Sequence, residues 1–238
     1  MGTILLAGGA EFGGEMASPD RRALDLAGGL SARISIIPAA AAPDDNHRRT
    51  GENGVRWFRS LGATAVRALP LIDRVSAEDP DVVRDLHQST FIYIPGGFPR
   101  YLEQTLTGSA GWAAIIEAYR NGAVVAGASA GAMVLCSHYF DPDSGEVHQG
   151  LGLVPNTCFL PHHDVFGHKW VPRLAALLPT TITLIGVDEE TAILSGTASG
   201  KWEVHGKGEA TIYHASTTER HTDGAVFLLP GQSGSIRL

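Results

Sequence analysis

The stretch Ala123-Val124-Val125-Ala126-Gly127-Ala128-Ser129-Ala130-Gly131-Ala132 constrains this chain's fold more than any other. A short apolar run ends in Gly-x-Ser-x-Gly, and Ala132 to Cys136 follow with helix-like composition. The spacing predicts strand, sharp turn and helix, with Ser129 at the tip in a strained backbone conformation. Gly127 and Gly131 let strand and helix approach closely because they carry no Cβ. The helix N-terminus behind Ser129 offers unpaired N–H groups and the positive end of a dipole, both suited to a developing oxyanion. A Gly/Ala-rich packing turn would show the same five residues, so the weight rests on their position between a predicted strand and a predicted helix.

Bulk properties narrow the class. The 238 residues are 44% hydrophobic and 18% charged, enough for one buried core, and no low-complexity linker divides them, so a single domain over 1–238 is expected. A net charge of −7 with no basic stripe argues against a nucleic-acid partner. The opening run Met1 to Gly9 lacks a basic flank and is too short to be a signal peptide or to span a membrane. Cys136 and Cys158 both sit in apolar contexts and read as buried free thiols in a reducing cytoplasm.

Strand and helix patterns alternate through the first half. Thr3 to Ala7 reads as a buried strand, and Ser18-Pro19-Asp20 as the cap of a helix reaching about Ala27. Arg33 to Ala39 and Thr64 to Leu71 read as strands, with Val55, Trp57, Phe58 and Leu61 spaced for one helical face between them. Asp79-Pro80 opens a helix to His87, Phe91 to Ile94 is a strand ending in Pro95-Gly96-Gly97, and helical pieces cover Tyr101–Leu106 and Trp112–Arg120. This alternation predicts an α/β three-layer sandwich with a mostly parallel sheet. After a turn at Asp141–Gly145, Thr157 to Leu160 and Thr181 to Val187 read as strands and Lys169 to Leu178 as a helix. Period-two patterns at Trp202–Val204, Ala210–Tyr213 and Ala225–Leu229 predict antiparallel strands near the C-terminus.

A serine hydroxyl needs a base within hydrogen-bond reach and a group that orients the base. His162 and His163 stand just past the end of a strand expected beside the elbow strand, on the edge where α/β sheets bind ligands. Spacing does not choose between them. Asp188 and Glu189 follow another strand end, whereas Asp141 and Asp143 lie in the turn, and all four are candidate carboxylates. His162, His163, Asp164 and His168 are the residue types zinc takes, but no i, i+4 pair puts the adjacent histidines on one helical face, and no metal is expected. The paired glycines Gly96-Gly97 bring bare backbone to the same edge. Their N–H, with that of Ala130, would make a two-donor oxyanion hole, each donor contributing roughly 3 kcal/mol to transition-state stabilisation.

Five blocks in order carry a family resemblance: Ile4-Leu5-Leu6-Ala7-Gly8-Gly9-Ala10-Glu11, Ile94-Pro95-Gly96-Gly97, Gly127 to Ala132, Gly150-Leu151-Gly152-Leu153-Val154-Pro155 with the histidine after it, and Gly186-Val187-Asp188-Glu189-Glu190-Thr191-Ala192. With these the chain resembles the serine peptidase family of cyanophycinase and dipeptidase E, which shares its fold with class I glutamine amidotransferases. The resemblance implies Ser129 as nucleophile, His162 as general base, and Gly97 and Ala130 as oxyanion donors. It implies Glu189 as the acid in the cyanophycinase-like branch; the dipeptidase branch would place it at Asp141 or Asp143. Gly96, Phe98, Arg100 and His163 are then expected around a small peptide substrate, with no cofactor. Phe98-Pro99 stand where cyanophycinase-like members carry substrate-holding polar residues, and Leu160-Pro161 precede His162 in place of polar ones. What carries over is therefore the catalytic machinery and not the identity of the peptide.

Two rivals remain at this level. An α/β-hydrolase esterase also uses Gly-x-Ser-x-Gly but orders its triad serine, acid, histidine, whereas Glu189 follows the histidine here. A catalytically silent, amidotransferase-like binding or regulatory protein is the other. A homodimer is compatible with either.

Overall fold

A computed structural model describes residues 1–196, 200–214 and 217–229; parts of the expected 1–238 span at 197–199, 215–216 and 230–238 lie outside the described residues. Five parallel strands build one side of an eight-stranded sheet, from its middle out to one edge: β1 (Thr3–Ala7), β2 (Arg33–Ile36), β3 (Ala65–Ala68), β4 (Phe91–Ile94) and β5 (Val124–Ala128). They lie in the order β1-β5-β4-β2-β3. The elbow strand β5 is therefore central, with β1 and β4 as its neighbours, and the C-terminal ends of all three reach one edge.

Alternation along β1 divides the core. Leu5 and Ala7 face one apolar cluster with Phe91, Tyr93 and residues of α1 (Ala17–Leu26) and α2 (His47–Ser60). Ile4 and Leu6 face the other, with Ile92, Ile94 and residues of α3 (Pro80–Gln88), α4 (Pro99–Leu106) and α5 (Ala110–Arg120). Helices thus cover both faces of the sheet, the mixed α/β arrangement expected. Asp79 caps α3 as predicted, its Oδ1 accepting the Asp81 N–H at 2.7 Å.

The structure shortens several predicted elements. β2 stops at Ile36 because Pro38 opens a 3₁₀ turn over Pro38–Ala41, and β3 stops at Ala68, two residues before Pro70. The helix behind the elbow, α6 (Ala130–Leu135), ends before Cys136, which begins a strand. A 3₁₀ turn over Gly167–Trp170 occupies the start of the predicted 169–178 helix, leaving α7 (Val171–Leu177).

The larger correction concerns the second half of the chain. It contributes a second, six-stranded sheet built from β6 (Cys136–Asp141), β7 (Glu146–Gln149), β8 (Val154–Leu160), β9 (Thr183–Val187), β12 (Ala210–Tyr213) and β13 (Thr218–His221), in the order β13-β12-β9-β8-β6-β7. β8, which precedes the two histidines, was expected beside the elbow strand; it pairs instead with β6 and β9. The remaining strands, β10 (Thr191–Ser195), β11 (Lys201–Gly206) and β14 (Val226–Leu228), add antiparallel to the outer side of β1. The period-two segments thus separate, β11 and β14 extending the first sheet and β12 lying inside the second. Phe159, Ile185 and Ile212 join the second sheet to the core shared with α3 to α6. Cys136 and Cys158 are free and fully buried, and burial pushes the Cys136 thiol up to about 12.

Helix α1 begins at Ala17, fed by a 3₁₀ turn over Gly14–Met16, so Ser18 is not its cap. This draws Asp20 into the core, where its Oδ2 accepts the Trp57 indole N–H at 2.7 Å and its Oδ1 has no hydrogen-bond partner among the described residues. Burial raises the Asp20 carboxyl from 3.8 to about 7; the Trp57 hydrogen bond opposes this and the Glu11 charge adds to it. A folded-state pKa above the unfolded one contributes stability that is complete below 3.8 and lost as pH rises through about 7. Asp20→Asn keeps an acceptor for Trp57 and removes the buried charge. It is expected to raise the melting temperature at pH 8 by several degrees, about 2 kcal/mol after the cost of a buried amide, with the gain absent at pH 3.5. Equal melting curves for parent and variant at pH 8 would contradict an ionisable Asp20 in the core.

Candidate active site

Ser129 occupies the turn between β5 and α6 at φ 48° and ψ −114°, a conformation costing on the order of 1–3 kcal/mol for a non-glycine residue. Small neighbours make it feasible: a Cβ on Gly131 would lie 2.0 Å from the Ile94 carbonyl oxygen, so no larger residue fits there. The hydroxyl meets His162, whose Nε2 lies 3.0 Å from Ser129 Oγ. The opposite ring nitrogen, Nδ1, lies 2.7 Å from Glu189 Oε1. Phe166 stacks on the imidazole with ring centroids 5.0 Å apart. Serine, imidazole and carboxylate therefore form one continuous hydrogen-bonded chain.

Three segments distant in sequence are brought together by one short piece of backbone. Successive carbonyls at the end of β1 accept from each in turn: Ala7 from the Ser129 N–H at 3.0 Å, Gly8 from the His162 N–H at 2.7 Å, and Gly9 from the Glu190 N–H at 3.2 Å. Gly9 also passes directly beneath the imidazole. Its φ is 144°, and a Cβ there would lie 2.2 Å from His162 Cε1. His162 itself holds φ 46°, pinned by these contacts.

Each predicted site residue can now be placed. Of the four candidate carboxylates, Glu189 is the one against His162, and its own N–H donates to Asp164 Oδ1 at 3.0 Å. Asp188 lies instead beside His163, 3.4 Å from its Nδ1. Asp141 belongs to the β6–β7 hairpin, where its Oδ2 accepts the Ser144 hydroxyl at 2.6 Å, and Asp143 is exposed on that turn. His163 is buried, and burial holds its imidazole below the ordinary histidine range, against the opposing pull of Asp188. Arg100 is exposed on the first turn of α4 with Nη1 2.7 Å from His148 Nε2. Phe98 precedes α4, its N–H donating to the Ala40 carbonyl at 2.8 Å.

Glu11 received no role from the sequence, although it lies in the first resembling block. Its Oε1 accepts the Gly96 N–H at 2.9 Å. A Cβ on Gly96 would lie 3.1 Å from Glu11 Oε1 and 3.6 Å from Ser129 Oγ, so carboxylate and hydroxyl border the same small space. The Gly96 and Phe98 amides are both tethered, and between them Gly97, exposed and at φ 141°, packs its Cα against the Ala40 carbonyl. The backbone on either side of Glu11 holds positive φ at Ala10 and Phe12, and the sequence's one pointer to it was its place in the first resembling block. Among the described residues no group of three or more His, Cys, Asp or Glu side chains could hold a metal ion, and no helix is long and apolar enough to cross a membrane.

The model of peptidase family S51 matches residues 4–199. The chain belongs to that family. Among curated relatives, the cyanophycinase of Geminocystis herdmanii is 29% identical over 235 residues, covering 94% of this chain and 85% of the relative. The cyanophycinase of a Nostoc species is 29% identical over 220 residues, covering 88% and 72%. A solved peptidase from an acI-B1 Actinobacterium superposes with a TM-score of 0.85 at 29% identity, covering 96% of this chain and 97% of that one. A putative peptidase E from Listeria monocytogenes shares the fold at a TM-score of 0.63 and 18% identity. As a member of family S51, the protein is a serine-type peptidase.

Proposed function

We propose that Ser129, His162 and Glu189 are the catalytic triad of this peptidase and that it cleaves short peptides. The carrying observation is the unbroken chain Ser129 Oγ–His162 Nε2 and His162 Nδ1–Glu189 Oε1 at 3.0 and 2.7 Å. In this reading Ser129 attacks the peptide carbonyl while His162 Nε2 takes its proton, and Glu189 holds the imidazolium so formed. The tetrahedral oxyanion is received by the N–H groups of Gly97 and Ala130, the first held by its tethered neighbours and the second at the start of α6. Collapse expels the amine, protonated by His162, and leaves an acyl group on Ser129. Water, deprotonated by the same imidazole, then releases the acid.

Family membership and the cyanophycinases among the relatives support a short-peptide substrate of dipeptidase or cyanophycinase-like kind. A cytoplasmic setting is supported by the two unpaired, buried thiols. The decisive test is a fluorophosphonate probe followed by peptide mapping, with a dipeptide library screened in parallel. Stoichiometric labelling at Ser129, slowed at least a hundredfold in His162→Ala, is expected. An unlabelled Ser129 in folded protein would instead favour a silent, binding member of the fold.

A further inference from the structure

Beside the triad lies a second chain of polar side chains that the proposed chemistry does not use. The His163 Nε2 is 2.8 Å from the Tyr213 hydroxyl, and on the other side of the ring Nδ1 is 3.4 Å from Asp188 Oδ1. Asp188 is anchored in turn, its Oδ2 accepting the Glu209 N–H at 2.9 Å. The ring has no room to shift, because it packs flat on Gly186, where a Cβ would come within 2.2 Å of its Cδ2. The His163 N–H donates to the Val187 carbonyl at 3.1 Å, and its own carbonyl lies 2.6 Å from His168 Nδ1.

Register makes this arrangement matter. β8 and β9 run parallel with Leu160 opposite Gly186, so His162-His163 and Asp188-Glu189 emerge side by side from the ends of two paired strands. The pairs cross: His162 reaches Glu189, and His163 reaches Asp188. Because the two contacts are opposite diagonals, a shift of one strand end along the other in either direction changes both pairs at once. Asp164 adds a third tie through the Glu189 N–H. The strained backbone at His162 is thus flanked by a residue whose ring is fixed on both sides.

We infer that His163, clamped between Asp188 and Tyr213, is a positioning residue that sets the catalytic His162–Glu189 pair in register against Ser129. Tyr213 carries this constraint from β12, in the interior of the second sheet, to the catalytic edge. The inference rests on the triad reading above.

Kinetics of fluorophosphonate labelling at Ser129 in the full chain provide the test, with the fraction of labelled sites counted separately from the rate. Tyr213→Phe removes one hydroxyl and little volume. It is expected to lower the labelling rate at saturating probe about tenfold, with probe affinity, labelled fraction and melting temperature unchanged; His163→Ala is expected to lower it about a hundredfold. A merely structural role would change the labelled fraction and melting temperature while every folded site reacted at the parental rate, and that result in Tyr213→Phe would overturn the inference with the triad intact. Absence of labelling in the parent chain would overturn the triad reading and this inference together.

Discussion

Replacing Ser129 with alanine is expected to lower kcat/KM on any cleaved peptide by about 10⁴- to 10⁶-fold, on the order of 5–8 kcal/mol of transition-state stabilisation. The loss is large because no neighbouring group can substitute: among the described residues the Ser129 hydroxyl is the one side chain hydrogen-bonded to His162 Nε2, and Glu11, on the same small space, is tethered to the Gly96 amide. Folding should hardly respond. Alanine inherits the strained φ of 48° without relieving it, and His162 keeps its bond to Glu189. The measurement is initial-rate kinetics on a peptide found by library screening, beside a thermal melt. A Ser129→Ala protein retaining more than a hundredth of parental activity would remove Ser129 from the chemistry.

Gly9→Ala is expected to reduce kcat by about 10²- to 10³-fold while leaving Ser129 and Glu189 untouched. The added methyl would stand 2.2 Å from His162 Cε1 and 2.6 Å from Nδ1, closer than atoms approach without displacement. Backbone bonds on both sides prevent Gly9 from yielding: the neighbouring Gly8 carbonyl holds the His162 N–H, and the Gly9 carbonyl holds the Glu190 N–H. The imidazole must therefore tilt away from the hydroxyl, and a displacement of about 1 Å at a reacting group costs on the order of a hundredfold. A φ of 144° adds strain of about 1–3 kcal/mol for alanine, so the melting temperature should fall by a few degrees. Circular dichroism establishes that the variant is folded, and the rate of fluorophosphonate labelling reads the active site directly. Parental labelling in folded Gly9→Ala would show that the ring does not rest on this glycine.

Much of this was visible before any coordinates, and the reasons are local. The elbow declared itself because strand, glycines and helix are contiguous, and each carries its own signal within ten residues. The same holds for the Asp79-Pro80 cap and for the strand at Phe91–Ile94. The second sheet was missed in part because β6 and β7 lack a hydrophobic pattern of their own. Cys136-Ser137-His138 and Glu146-Val147-His148-Gln149 become strands by pairing with partners, a contribution no short window records. Ser18-Pro19-Asp20 reads as a helix cap, but the preceding 3₁₀ turn over Gly14–Met16 starts the helix at Ala17 and leaves Asp20 inside, where it accepts from Trp57.

By itself the sequence determined the family, the mixed α/β architecture, and a serine held at a strand-to-helix bend, since each is written in contiguous residues. Residue spacing left the histidine and the carboxylate open, the resemblance pointed to His162 and Glu189, and only the tertiary structure supplies the physical reason that these two line up with that serine. Adjacent residues in a chain point in different directions, so His162 and His163, or Asp188 and Glu189, are equivalent in composition and opposite in consequence. The choice is made where the second sheet meets the first: three carbonyls at the end of β1 receive the three segments, and the crossed pairing of two strand ends sends one histidine to Ser129 and buries the other.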